Sequence, residues 1–152
     1  MKGKKTDMKK ILVVAAHPDD EILGVGATVA KHAAQGDEVY ALILGEGQTS
    51  RGEHREDISA DVVKELHQNT LESAEKVGYK EVYFADFPDN RFDQVDLLDV
   101  VKAVEHKIKE IQPEIIYTHY SGDLNIDHQY TARAVLTATR PIGDYPVKEI
   151  YA

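Results

Sequence analysis

The sequence has no cysteine. That excludes a disulfide frame, a thiol nucleophile, an iron–sulfur cluster and a thiolate zinc site. Any metal must be held by His, Asp, Glu or backbone oxygen, and seven histidines with 27 acidic residues keep that route open. Positive charge is also scarce: 18 Lys and Arg leave a formal charge of −9. A balance that acidic argues against a nucleic-acid binder held by phosphate contacts and against a basic membrane-surface anchor. Long hydrophobic runs are missing as well. The first apolar run, Ile11–Ala16, is shorter than the roughly 7–15 residues of a signal-peptide core or the about 20 of a spanning helix. A cytoplasmic location is the default expectation. What remains, 42% hydrophobic and 30% charged in 152 residues, is the composition of one globular domain.

Strand and helix signals alternate along the chain. Ile11–Ala16 reads as a buried strand, and Glu38–Leu44, Glu81–Ala85 and Glu114–Thr118 as three more. Val147–Ala152 opens a fifth. Between them lie helical patterns over Glu21–Gln35, residues 55–77 (with room for a break), Val95–Ile111 and Asp127–Thr139. Gly36 and Gly78 mark two helix ends, and Pro113 bounds a third. Asp127 is expected to cap the last helix. This alternation predicts an α/β, three-layer Rossmann-like fold: a mostly parallel sheet of order 3-2-1-4-5 with helices on both faces. Residues 1–9 read as a loose N-terminus and 10–152 as a single domain.

In that order the strand sequence reverses between strands 1 and 4, and ligands bind beyond the carboxyl ends of strands at such a point. Chemistry is therefore expected just after Ala16 and just after Thr118. The first place holds His17-Pro18-Asp19-Asp20-Glu21, the second His119-Tyr120-Ser121-Gly122-Asp123-Leu124-Asn125-Ile126-Asp127-His128. Imidazole with carboxylate suits zinc and other first-row divalent ions. A catalytic zinc takes three protein ligands and leaves one position open.

The segment ILVVAAHPDDEILGVGATVAKHAAQGDEVYALILGEG resembles the N-terminal signature of the PIG-L (LmbE-like) family of zinc-dependent N-deacetylases. THYSGDLNIDHQYTARAVLTATRP resembles the same family's C-terminal metal motif, and VYFADFPDNRFD between them also fits. The likeness covers nearly the whole chain from Lys9. It implies that His17, Asp20 and His128 hold zinc and that Asp19 is the general base. Asp19 would take a proton from the attacking water and return it to the leaving amine, giving acetate and a free amine. Family members often carry a His three residues before the second-motif ligand; here Asn125 stands there. Asn can donate a hydrogen bond to an oxyanion but cannot shuttle a proton, so another group such as His119 could supply a second acid. Glu21 and Asp127 are placed to orient ligands. Relatives usually continue past the last residue here, so a C-terminal portion is expected to be missing.

For substrate contacts, the loops after strands 2 and 3 should border the same crevice. Arg51, Asp89, Asn90, His119 and Asp123 are the candidates, with Asp89 the favoured partner for a sugar hydroxyl and guanidinium suited to an anionic substituent. The expected partner is a small N-acetylated sugar of the N-acetylglucosamine type, with no nucleic acid and no membrane; a homo-oligomer is left open. Two rivals remain. One is a sugar- or nucleotide-binding module of the same fold without catalysis. The other is a two-metal hydrolase of another bond, such as a phosphoester. His32, His54, His67 and His106 read as solvated, and Gly24 with Gly26 as helix–sheet packing rather than a dinucleotide turn.

Overall fold

Side chains along β1 (Lys10–Ala15) alternate between two cores. The computed structural model describes residues 7–142 and 147–152. Leu12 and Val14 join one buried cluster, Ile11 and Val13 the other. A strand covered on both faces cannot spare a polar position, which is why KILVVA reads as a continuous apolar run. Its neighbours are β2 (Glu38–Gly45) on one side and β4 (Ile115–Tyr117) on the other, both parallel to it. Leu12 lies opposite Tyr40 and Ile116 in this register. β3 (Glu81–Phe87) and β5 (Glu149–Tyr151) complete a parallel sheet of order β3-β2-β1-β4-β5. The expected fold class and strand order are observed.

Helices α1 (Asp20–Leu23), α2 (Gly26–Ala34) and α3 (Ala60–Val77) follow β1 and β2, while α4 (Leu97–Ile111) and α5 (Ile126–Ala138) follow β3 and β4. Val104 and Ile108 of α4 and Val135 of α5 pack on the Leu12 face. Val29 of α2 and Ala74 of α3 pack on the Ile11 face. Three layers result, with the carboxyl ends of β1, β2 and β4 side by side.

Several boundaries differ from the periodicity. The helix expected over Glu21–Gln35 is two, because the chain leaves helical geometry at Val25 (φ −134°) after Gly24. The segment 55–77, where the sequence allows for a break, has one: a 3₁₀ turn, Arg55–Asp57, precedes α3. The fourth expected helix is capped by Asn125, not Asp127. Two histidines expected in solvent are also engaged. His32 Nδ1 lies 2.7 Å from Asp37 Oδ2 and its Nε2 3.0 Å from Tyr117 Oη. His67 stacks on Phe84 at 3.9 Å. Of the expected loose N-terminus, residues 1–6 lie outside the described residues, and the Lys9 N–H is already tied to Asp37. No helix among the described residues is long and apolar enough to cross a membrane.

Candidate active site

The turn after β1 is sharp and pinned. Asp19 has φ 148° and ψ −30°, a conformation L-residues rarely adopt. Its N–H donates to Glu21 Oε2 at 2.9 Å, and its carbonyl accepts from Ile22 and Leu23. Glu21 is buried, so its carboxylate serves the turn rather than solvent. The consecutive carboxylates of Asp19 and Asp20 thereby separate. Asp20 Oδ2 accepts from the His17 N–H at 2.9 Å and lies 3.5 Å from His17 Nδ1 and 3.4 Å from His128 Nε2. The end of β2 presses on this turn. A Cβ at Gly45 would stand 2.8 Å from the Ala16 carbonyl oxygen and 3.4 Å from the His17 ring, so the approach requires glycine.

The connection from β4 to α5 brings the second half. Asn125 Oδ1 accepts from the Asp127 and His128 N–H groups and caps the helix. Its Nδ2 donates to Asn90 Oδ1. Asp127 is therefore free of the capping task expected of it. It is fully buried, accepts from the Asn90 and Phe92 N–H groups, and meets His17 Nε2 at 2.9 Å. Asp123 meets His128 Nδ1 at 3.0 Å. His119, expected near substrate, stacks on His128 at 3.9 Å, and its Nε2 accepts from the Ala16 N–H at 2.8 Å.

These bonds decide which nitrogen of each imidazole is free. His17 uses Nε2 on Asp127 and leaves Nδ1 facing Asp20; His128 uses Nδ1 on Asp123 and leaves Nε2 facing Asp20. His17, Asp20 and His128 each offer a ligand atom, and these lie within 4.8 Å of one another. Two imidazoles and one carboxylate, each imidazole backed by its own carboxylate, is a donor set that fits a catalytic divalent metal. His119 Nε2 already accepts a backbone proton, so it is not a fourth donor.

Charge follows the same pairing. Burial pulls the His17 imidazolium down, but bonds to Asp127 and Asp20 outweigh it and hold its pKa up at about 10. Burial pulls His119 down to about 4, so it is neutral near pH 7 and poorly suited as a second acid. Burial and the neighbouring Asp20 raise Asp19, the direction a general base needs.

Asp19, His17 and Asp20 open onto a cavity of about 440 Å³ whose far wall carries Ser50, Arg51 and Asn90. Asp89 also lines it, although Asp89 Oδ2 already accepts from the Ser50 N–H and hydroxyl. Asp123 and His119 instead line a second cavity of about 330 Å³, which also touches Asp20 and His128. The far wall depends on residues the sequence did not single out. Glu46 is buried at the end of β2, accepts from Arg55 Nε and a guanidinium N–H at 2.7 Å each, and accepts from the Thr49 hydroxyl. Its place directly after a strand beside the crevice was the available signal.

Residues 12–139 match the profile of a family described as PIG-L, GlcNAc-PI de-N-acetylase. An uncharacterized deacetylase of Escherichia coli K12 is 30% identical over 88% of this chain and 70% of its own length. A probable N-acetyl-alpha-D-glucosaminyl L-malate deacetylase of Bacillus cereus is 32% identical over 86% of this chain and 60% of its own. Two solved structures share the fold. The N,N'-diacetylchitobiose deacetylase of Pyrococcus horikoshii has a TM-score of 0.74 at 22% identity, covering 88% of this chain and 50% of that one. The 4-carboxy-2-hydroxymuconate hydratase of Pseudomonas putida has a TM-score of 0.73 at 26% identity, covering 87% and 56%.

Proposed function

The chain belongs to the PIG-L family, and from that premise we propose that it is a zinc-dependent N-deacetylase of a small N-acetylated sugar of the N-acetylglucosamine type. The chain spans 60% of the Bacillus relative and 50% of the Pyrococcus structure, so the activity of the whole protein is part of this proposal. One observation carries it: two carboxylate-backed imidazoles converge on Asp20 while the neighbouring Asp19 opens into the same cavity.

Zinc, when bound, supplies a Lewis acid that brings a water toward ionisation near neutral pH. The remaining work falls to side chains of this chain. His17, Asp20 and His128 hold the ion, with Asp127 and Asp123 fixing the tautomers of the two imidazoles. Asp19 accepts the proton of the attacking water as the amide carbon becomes tetrahedral, then delivers it to the amine nitrogen as the C–N bond breaks. Asn125 has a second amide N–H besides the one given to Asn90, and that donor suits the developing oxyanion. Asp89, Asn90 and Arg51 bind sugar hydroxyls or an anionic substituent.

Acetate release from N-acetylglucosamine derivatives by the zinc-loaded protein tests this reading. Ligand binding without acetate release would instead mark a non-catalytic module, which the deacetylase names of the relatives do not favour. A metal content near two per chain would point to phosphoester chemistry. The hydratase neighbour supports a second reading, addition of water to an unsaturated carboxylate, in which Asp19 would serve the same water. Loss of the conjugated double bond, followed by ultraviolet absorbance, separates it from amide hydrolysis.

A further inference from the structure

The Asp19 turn is anchored from 58 residues away. α1 is a single turn ended by Gly24 and Val25, so its last carbonyls lack helical partners. The Asp20 carbonyl receives the Gly24 N–H. The Tyr79 hydroxyl donates to the Glu21 carbonyl, at 2.7 Å in the interior. Tyr79 follows Gly78, whose φ of +106° ends α3, and its ring is buried with Ile11, Val13 and Val39. A phenol in that apolar setting needs an acceptor, and the Glu21 carbonyl is the one it has.

Glu21 is thus held by its backbone while its carboxylate holds the Asp19 N–H at 2.9 Å. With the Asp19 carbonyl taken by Ile22 and Leu23, every backbone polar group of Asp19 is engaged. These contacts keep Asp19 at a φ that its own side chain disfavours, and that φ turns its carboxyl toward the cavity and away from the ligand cluster around Asp20.

We propose that Tyr79 is a positioning residue for Asp19: its hydroxyl fixes the Glu21 peptide, and Glu21 in turn fixes the Asp19 backbone in the conformation that presents the base. This rests on the reading of Asp19 as the general base. The ring of Tyr79 fills the core; the inference concerns its hydroxyl alone, which Tyr79→Phe removes while the packing is kept.

The test compares the wild-type chain, Tyr79→Phe, Glu21→Ala and Glu21→Gln. Amide hydrogen exchange at Asp19 is followed by NMR with and without zinc, alongside zinc affinity, melting temperature, kcat and KM for acetate release. Tyr79→Phe is expected to speed Asp19 exchange about tenfold and lower kcat about tenfold, with KM and zinc affinity unchanged. Glu21→Ala should speed exchange at least as much, while Glu21→Gln, whose amide oxygen can take the same bond, should restore protection. Wild-type exchange at Asp19 in Tyr79→Phe overturns the proposal. So does a loss of kcat that merely tracks a fall in zinc affinity and melting temperature. If the wild-type chain releases no acetate, the deacetylase reading fails, and the exchange rate at Asp19 still decides the Tyr79 link by itself.

Discussion

The two walls of the cavity are built by different means. The ligand wall grows directly out of the sheet: His17 and Asp20 sit within a five-residue turn after the buried β1, and His128 sits in the first turn of α5. Its anchors are backbone geometry and buried carboxylates, with Asp127 fully enclosed. The facing wall is a loop, residues 46–57, tied down by side chains: Glu46 to Arg55 and Thr49, and Asp89 to Ser50. Arg55 is about half exposed, at 47%, so water competes for that clamp. Each wall thus rests on a buried carboxylate, Asp127 on one side and Glu46 on the other; they differ in that the first pins a turn and a helix start and the second a long loop.

That division can be broken or sharpened by substitution. The largest effect is expected for Asp19→Asn, which should keep the metal and lose roughly 10²–10⁴-fold in turnover; retained activity in acetate-release assays would remove Asp19 from the base role. Asp127→Asn should weaken metal affinity by about 10–100-fold in a competition titration, since it disturbs the tautomer of His17. Asp123→Asn should cost less, because Asp123 is 41% exposed and water can replace it. Equal losses would mean that burial does not grade the two carboxylates.

On the loop side, Glu46→Gln should cost about 1.5 kcal/mol in stability and raise KM, with metal affinity unchanged. A change in metal affinity there would show that the walls are not separate. The same clamp predicts a pH dependence. Burial alone would raise the Glu46 pKa, but Arg55 and Thr49 hold it below 4.5. A depressed carboxylate adds stability that is present above its unfolded value and lost as pH falls through the lower folded value. Protection of loop amides should therefore decline below about pH 4.5 in the wild type, and the decline should be shallower in Glu46→Gln. On stability the smallest effect is expected for Asn125→Ala, about 1 kcal/mol of helix capping read from the melting temperature, while loss of its oxyanion donor should separately lower kcat.

Much of the ligand wall was legible in the chain because strand ends and helix starts leave local signatures. An apolar run ending in HPDDE places His17 and Asp20, and the switch-point rule brings residues 119–128 beside them. What was not legible depended on competition between neighbours. Asp127 reads both as the helix cap and as a residue that orients a ligand; Asn125 two residues earlier takes both N–H groups, so the capping half fails and the contact with His17 remains. Asp123 and His119 looked like substrate contacts, yet packing around His128 claims one as a hydrogen-bond partner and the other as a stacked ring. Glu46 read as part of a polar loop, because nothing local reveals that Arg55 folds back onto it. The helix break at Gly24–Val25 was hidden by an apolar spacing that continues across it.

The pairing of His17 with Asp127 joins residues 110 positions apart. In the proposed ligand set, an ion shared by His17, Asp20 and His128 would close nearly the same span and act as a cross-link between the turn after the first strand and α5. Occupancy then bears on folding as well as on chemistry. At an ion concentration 1,000 times the dissociation constant, the folded state gains about 4 kcal/mol. With the proposed ligand set, a chelator would remove one long-range tie and leave the span to the sheet and the His17–Asp127 pair.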